Sequence, residues 1–295
     1  MSRVEGYVPF RGLRTWYRVV GDGEEPGKLP VLCLHGGPGA THDYLESLEA
    51  LAETGRRAIF YDQVGCGRSD LGDKSLWTVE TYVEEVGAVR RELGLDRVHV
   101  FGNSWGGMLG MEYALTQPDG LASLVVASSP ASMRQWVAEA NRLRAELPED
   151  VQRTLEEHEA AGTTDSAEYE EACEVFYRRH VCRVEEWPDS VLRSFQWIAE
   201  HGEVYRYMNG PSEFHVVGTI KDWDITARLG EIRVPTLVVS GEFDEATPAI
   251  NRTVSEGIPR AESVIYGNAS HMAHVEDTAG YVALLDGFFS RVEAA

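Results

Sequence analysis

Short runs rich in apolar residues recur along this chain and predict the strands of a buried sheet. They lie at residues 14–20, 30–34, 57–61, 98–101, 124–127, 236–240 and 263–266. Apolar runs of this kind are typical of strands covered on both faces, as in a parallel sheet. Apolar residues at spacings of three and four over 79–93 predict an amphipathic helix, which Thr78 can cap at its start and Gly94 at its end. Strands that alternate with helices predict an α/β fold with a mostly parallel central sheet and helices on both faces.

The alternation stops between about residues 132 and 228. This segment has no strand-like run, is rich in Glu, Arg and Ala, and contains helical stretches at 133–147 and 169–180. We therefore expect a helical cap at 132–228, inserted into an α/β core formed by 1–131 and 229–295. Four of the seven tryptophans fall in this cap: Trp136, Trp187, Trp197 and Trp223.

Composition narrows the classes of partner. The 295 residues carry a formal net charge of -21, which disfavours binding to nucleic acid and to anionic lipid surfaces. No apolar run reaches the roughly 18 residues of a membrane span, and the N-terminal residues lack the apolar region of a secretory signal, so we expect a cytoplasmic protein. The four cysteines lack CxxC spacing and predict no disulfide framework. Among them, Cys66 lies in a glycine-rich turn, where we expect it to fill space.

The segment Gly102-Asn103-Ser104-Trp105-Gly106 matches the G-x-S-x-G pattern of a nucleophile elbow. A predicted strand leads into it, and a helical pattern at 108–115 follows it. Glycines are needed at the flanking positions because the serine sits on a tight strand-to-helix turn. The helix N-terminus behind the serine favours negative charge on a developing oxyanion. The pattern predicts the α/β-hydrolase fold with Ser104 as nucleophile.

A serine nucleophile needs a base, and the base needs an orienting acid. In this fold the chain order is Ser, then Asp or Glu, then His. Asp244 and His271 each follow a predicted strand, at the sheet edge where ligands bind in open α/β folds. The alternatives are Glu242 or Glu245 for the acid and His274 for the base.

The glycine-rich segment His35-Gly36-Gly37-Pro38-Gly39 follows another predicted strand. This is where such hydrolases supply a backbone N–H to the oxyanion, so we assign the oxyanion donors to the N–H groups of Gly37 and Trp105. His35 has no evident acid–base task and is expected to be structural. In the turn at 62–69, we expect a salt bridge between Asp62 and Arg68.

Three motifs together resemble the prolyl aminopeptidases, also called proline iminopeptidases: HGGPG at 35–39, DQVGCGRS at 62–69 and GNSWGG at 102–107. In the cap, MNGPSEF at 208–214 is similar to a segment of the tricorn-interacting aminopeptidase type. The resemblance implies release of N-terminal residues, and hence carboxylates that bind a free α-ammonium group. It assigns that role to Glu213 and Glu245. Related enzymes can also have a cap arginine at the substrate, which makes Arg134 a weaker candidate.

The predicted function is therefore that of a serine aminopeptidase releasing proline or other apolar residues from short peptides through an acyl-enzyme. The predicted partner is a short peptide or amino-acid amide with a free N-terminus, and neither metal nor organic cofactor is required. The cap aromatics Trp136, Phe195, Trp197 and Tyr205 could line an apolar pocket, although packing within the cap is the commoner role for each. An amino-acid amidase or an esterase on the same scaffold is the alternative. A hydrolase-fold binding protein without turnover is the alternative of another class.

Overall fold

A computed structural model describes residues 1–295 and contains one eight-stranded sheet. The strand order is β1-β2-β4-β3-β5-β6-β7-β8. The first two pairs, β1–β2 and β2–β4, are antiparallel, and every other pair is parallel. The strands are β1 Arg3–Phe10, β2 Leu13–Val20, β3 Val31–Leu34, β4 Ala58–Tyr61, β5 Val98–Asn103, β6 Leu121–Ala127, β7 Thr236–Gly241 and β8 Ala261–Tyr266. The prediction of a mostly parallel sheet is confirmed.

The strand β1 was not predicted. Its inward residues Val8 and Phe10 are buried, whereas Tyr7 and Pro9, which alternate with them, are exposed, as suits an edge strand covered on one face. The alternation is present in the sequence, but it is interrupted by Gly6 and by charged residues, so no apolar run marks it.

Ten α-helices surround or extend the sheet. They are α1 Val79–Glu92, α2 Trp105–Leu115, α3 Met133–Arg144, α4 Glu149–Ala161, α5 Ala167–His180, α6 Asp189–His201, α7 Glu203–Met208, α8 Pro248–Gly257, α9 Ala273–Glu276 and α10 Thr278–Glu293. The Thr78 side chain caps α1 as predicted, accepting from the Thr81 N–H, and Gly94 follows the helix with a φ of 64°. Helices α3 to α7 all lie between β6 and β7 in the chain, where no strand occurs. No helix combines the length and apolar character that crossing a bilayer requires.

Two hydrophobic clusters cover the two faces of the sheet. In β3, Leu32 and Leu34 belong to one cluster, whereas Val31 and Cys33 belong to the other. This division explains why the parallel strands are apolar throughout, since successive side chains point to opposite faces and both faces are buried. A third, smaller cluster lies among the cap helices, around Leu155, Tyr169 and Phe176.

The parallel strands bring their following loops to one edge of the sheet. In the parallel register, Leu34 pairs with Gly102, Asn103 with Ala127, and Gly241 with Tyr266. The loops that carry the predicted oxyanion donor, nucleophile, acid and base therefore all begin at the carboxyl edge.

Candidate active site

The elbow around Ser104 has a strained backbone. Ser104 has φ 58° and ψ −126°, values that L-residues seldom adopt. A Cβ on Gly102 would lie 2.1 Å from the Gly106 carbonyl oxygen, and one on Gly106 would lie 2.1 Å from the Leu34 oxygen. Only glycine fits at these two positions, so the turn can pass close to β3 and raise the serine above the sheet.

A buried chain of hydrogen bonds joins the elbow to its neighbouring loops. The Gly36 N–H donates to the Tyr44 hydroxyl at 2.7 Å, and this hydroxyl donates to Asn103 Oδ1 at 2.8 Å. Asn103 Nδ2 donates to the His271 carbonyl oxygen at 3.3 Å. The loop at 35–39, the turn at Ser104 and the loop at His271 are thereby held in one arrangement.

Asp244 and His271 are paired. His271 Nδ1 lies 2.9 Å from Asp244 Oδ1, and both residues are buried. Asp244 also accepts the N–H of Ala246 at 2.8 Å and that of Gly241 at 3.1 Å, bonds that hold the carboxylate. An ionised carboxylate only accepts, so Nδ1 carries the proton and Nε2 is left with a free lone pair. No hydrogen bond joins the Ser104 hydroxyl to the ring in this structure, and such contacts often tighten only when substrate binds.

The alternative acids and base occupy other positions. Glu242 accepts the Asn268 N–H at 3.0 Å, on the outside of the molecule. Glu245 Oε1 is 3.6 Å from His271 Nδ1, further than Asp244. His274 is buried in α9 with Nδ1 2.9 Å from the Ser47 hydroxyl, and burial lowers the pKa of its ring to about 3. Asp244 and His271 are therefore the pair with the geometry of an acid–base couple.

The oxyanion loop lies against the cap. Gly37 and Trp105 line one small pocket together with Ser104. Trp105 is the first residue of α2, where a backbone N–H has no partner inside its helix. At Gly39, a Cβ would lie 2.5 Å from the Tyr205 backbone nitrogen, so glycine lets the cap approach the loop.

His35 and the turn at 62–69 form the support of this loop. His35 Nε2 accepts the Gln63 N–H at 3.0 Å, and burial lowers the pKa of the ring to about 4. The predicted salt bridge between Asp62 and Arg68 is wrong. Asp62 accepts the backbone N–H of Arg68 at 2.9 Å, whereas the guanidinium pairs with Glu5 at 3.0 Å. The tight turn directs the Arg68 side chain outward, and only its main chain reaches the carboxylate.

Cys66 in the same turn is fully buried. Burial raises the pKa of its thiol well above the ordinary value, and Sγ is 3.8 Å from the Val64 oxygen. Its surroundings disfavour a thiolate and agree with a space-filling residue.

The two carboxylates assigned to ammonium binding converge beside His271. Glu213 Oε1 accepts the Tyr205 hydroxyl at 2.5 Å. Burial raises the pKa of Glu213, although the Tyr205 hydroxyl and His271 act against this rise. Burial also raises the pKa of Glu245, and the charges of Glu213 and Asp244 raise it further. Glu245 Oε2 is buried without a hydrogen-bond partner, so the site holds an acceptor that no protein group satisfies.

The pocket in front of Ser104 is small and largely apolar. Its space of about 230 Å³, part of which is open to solvent, is lined by Gly37, Ser104, Trp105, Met108, Pro130, Met133, Trp136, Asn209, Glu213 and Ile220. None of these residues is cationic. A wider cavity of about 1030 Å³, open to solvent, lies at the opposite edge of the sheet beside Gly21, Arg57 and Leu95, away from these groups.

The cap aromatics divide into two groups. Trp136 lines the pocket, donates through Nε1 to the Glu213 carbonyl oxygen at 2.7 Å, and lies edge-to-face with His271. Tyr205 contacts Glu213 as described above. By contrast, Phe195 packs against Trp187 and Trp197 against His201. Arg134 is exposed and does not line the pocket.

Sequence reasoning missed Tyr44, Asn103 and Asn209. Asn103 lies inside the G-x-S-x-G motif, so its position was known but its bond to the histidine loop was not. Asn209 belongs to the MNGPSEF segment and lines the pocket. Tyr44 lies in the 3₁₀ segment His42–Thr54 and carried no signal in the sequence.

Comparison with known proteins adds a second kind of evidence. A family model described as the α/β hydrolase fold matches residues 30–278. The chain is 41% identical to the proline iminopeptidase of Thermoplasma volcanium, over 99% of this chain and 98% of that protein. It is 38% identical to the proline iminopeptidase of Saccharolobus solfataricus, over 98% of this chain and 93% of that protein.

Solved structures indicate the same family as the sequence relatives do. The proline iminopeptidase of Mycobacterium smegmatis matches with a TM-score of 0.92 and 44% identity, over 99% of each chain. The structure of VinJ matches with a TM-score of 0.95 and 44% identity, over 98% of this chain and 99% of that one. These relatives confirm the resemblance inferred from the three sequence motifs. The chain belongs to the proline iminopeptidase family of α/β hydrolases.

Proposed function

We propose that this chain is a serine aminopeptidase that releases N-terminal proline from short peptides through an acyl-enzyme. The observation that carries the proposal is the pair Glu213 and Glu245, two carboxylates that lie beside His271 with one buried oxygen unpartnered. A free α-ammonium group at that position would neutralise the pair and supply the missing hydrogen bond. Relatives named proline iminopeptidase over nearly the full chain support the same reaction.

In the proposed mechanism, His271 Nε2 removes the proton from the Ser104 hydroxyl as this attacks the carbonyl carbon of the first residue. Asp244 holds the ring in the tautomer that has its proton on Nδ1 and stabilises the imidazolium that forms. The backbone N–H groups of Gly37 and Trp105 stabilise the oxyanion. The imidazolium then protonates the leaving amine, and water hydrolyses the acyl-enzyme. Side chains and backbone supply each step, so no metal or organic cofactor is needed.

Recognition of the substrate N-terminus follows from charge. Two carboxylates in a partly dry site repel each other, which favours a bound proton on one of them when the site is empty. An α-ammonium group replaces that proton with a charge-assisted contact to each carboxylate. An acetylated N-terminus lacks the charge and leaves the two carboxylates uncompensated. We therefore infer discrimination against N-acylated substrates.

The apolar side chains that line the pocket support a compact apolar first residue. Proline and other compact apolar residues suit such a space lined by Met108, Met133 and Ile220. We also propose that residues 132–228 act as a cap that closes this pocket with Trp136.

The nearest alternative is an amino-acid amidase that prefers ammonia as the leaving group, followed by an esterase. The carboxylates Glu213 and Glu245 favour both the peptidase and the amidase over an esterase, whose substrate needs no ammonium group. Measuring prolyl peptides against prolinamide separates the first two. Hydrolysis of N-acetylated or neutral substrates would identify an esterase, since the peptidase and the amidase need a free ammonium group.

Two variants test the proposal. Ser104→Ala should abolish turnover and labelling by a fluorophosphonate while leaving the thermal unfolding midpoint nearly unchanged. Glu213→Gln should raise KM for a prolyl arylamide at least tenfold, since it removes one charge from the ammonium site. Glu242→Gln is the matched control, because Glu242 is an exposed carboxylate three residues from Glu245 and lies outside the pocket. An equal KM for Glu213→Gln and for the control would contradict the proposed role of Glu213 in binding the substrate ammonium group.

A further inference from the structure

Asn209 places a free acceptor in the substrate pocket. The residue is 2% exposed and lines the pocket with Ser104 and Glu213. The amide nitrogen Nδ2 donates to the Ser212 carbonyl oxygen at 3.1 Å. This bond settles which end of the amide is the nitrogen, because a carbonyl oxygen can only accept. Oδ1, the other end, receives no hydrogen bond from the protein.

The position of this amide is held by its backbone. The Asn209 N–H donates to the Tyr205 oxygen at 2.8 Å, and its carbonyl oxygen accepts the N–H groups of Val217 at 3.0 Å and Gly218 at 2.7 Å. A Cβ on Gly218 would lie 2.2 Å from the Met208 oxygen, so the loop segment at Gly218 packs tightly against the backbone next to Asn209. The acceptor is therefore preorganised rather than mobile.

The number of N–H donors differs between substrates. An N-terminal proline carries a secondary ammonium group with two N–H bonds, whereas every other N-terminal residue carries a primary ammonium with three. Glu213 and Glu245 can accept one each. In a pocket this small and dry, a third N–H without an acceptor lowers affinity, because its hydration is lost and not replaced.

We propose that Asn209 Oδ1 is the acceptor for the third N–H of primary ammonium substrates and so determines how well this enzyme handles residues other than proline. The inference rests on the proposed function, because it takes Glu213 and Glu245 as the acceptors for the first two. In this arrangement Asn209 contributes to the binding of alanyl substrates and is nearly dispensable for the binding of prolyl substrates.

The test compares substrates that differ by one N–H. Alanyl arylamide has three ammonium N–H bonds, and N-methylalanyl arylamide has two with the same side chain. Prolyl arylamide also has two ammonium N–H bonds, and comparing it with N-methylalanyl arylamide shows the effect of the pyrrolidine ring. The variants are Asn209→Leu, which keeps the approximate shape of the side chain, and Asn209→Ala. Both also lose the Nδ2 bond to Ser212, but that loss loosens the Glu213 loop for all substrates alike and cancels in a ratio of kcat/KM values.

The expected result is a fall of about tenfold in the alanyl to N-methylalanyl ratio of kcat/KM in both variants. The prolyl to N-methylalanyl ratio should stay within about twofold of the wild-type value. An unchanged alanyl to N-methylalanyl ratio, whether activity falls for every substrate or for none, would overturn the proposal and leave Asn209 as a loop-positioning residue. Glu213→Gln measured on prolyl arylamide keeps the two proposals separate, because its failure would remove the ammonium site itself. Should Asn209→Leu not fold, the ratio in Asn209→Ala decides.

Discussion

The Tyr205 hydroxyl is the protein's only hydrogen-bond donor to the Glu213 carboxylate, and removing it tests how this bond affects the proposed ammonium site. The hydroxyl donates to Glu213 Oε1 at 2.5 Å, and the ring is buried. Tyr205→Phe keeps the buried ring and removes one oxygen. The substitution therefore changes the electrostatics of Glu213 with little change in packing.

The magnitude follows from the bond that is lost. Hydrogen bonds to charged groups contribute about 1.5–3 kcal/mol, and we take the lower value because water can enter the small space left by the oxygen. A loss of about 1.5 kcal/mol in stabilisation of the ionised carboxylate lowers the ionised fraction of Glu213 roughly tenfold at a pH below its pKa, so KM for prolyl arylamide rises by up to roughly tenfold there. The value of kcat should change less, since Ser104, His271 and the oxyanion donors are untouched.

The substitution also has a signature in pH dependence. The Tyr205 hydroxyl lowers the pKa of Glu213, so its loss raises that pKa further. Glu213 must be ionised to attract the ammonium, and ionisation is lost as pH falls through its pKa. The acidic limb of kcat/KM should therefore move to higher pH in Tyr205→Phe.

The assay is steady-state hydrolysis of prolyl arylamide from pH 5 to 9, with kcat and KM resolved at each pH. Tyr207→Phe is the control, because Tyr207 lies in the same helix α7 with an exposed side chain. A KM and an acidic limb that match those of the control would refute the reasoning. A fall in kcat with KM unchanged would also refute it, and would point instead to an effect on the oxyanion loop beside Gly39.

Two further predictions concern the frame of the site. Glu85 is fully buried against the Thr15 hydroxyl, and burial raises its pKa to about 8, so the folded state keeps a proton that the unfolded chain releases above about pH 4.5. The free energy of unfolding should thus fall by up to about 1.4 kcal/mol per pH unit between about pH 4.5 and 8. Urea unfolding at pH 5.5, 6.5 and 7.5 should show a flatter pH dependence for Glu85→Gln than for the wild type. An equal pH dependence in the two proteins would contradict this assignment to Glu85. Gly106→Ala should abolish hydrolysis and lower the unfolding midpoint, because its Cβ would meet the Leu34 oxygen at 2.1 Å. The control Gly87→Ala in α1 has no neighbour closer than 3.3 Å and should be neutral or stabilising, so similar losses in both variants would refute the steric argument.

The strands, the elbow and the order of the catalytic candidates could be predicted from the sequence because their signals are local. A run such as Val31–Leu34 is apolar because both of its faces are buried. The glycines around Ser104 are required by the turn in which they lie. Asp244 and His271 were found because each follows a strand, and parallel strands end at one edge. The helices α4 and α6 escaped prediction, since each has a single buried face among many charged residues.

The tertiary structure alone decided how the cap completes the site. The sequence places Glu213 and Glu245 in different parts of the chain, and their roles came only from a family resemblance. Docking of α7 over Gly39 brings the Tyr205 hydroxyl to Glu213 and leaves an oxygen of Glu245 unpartnered beneath. The same docking sets the size of the pocket and turns Asn209 toward it. These features depend on long-range packing between cap and sheet, which periodicity and turn chemistry do not encode.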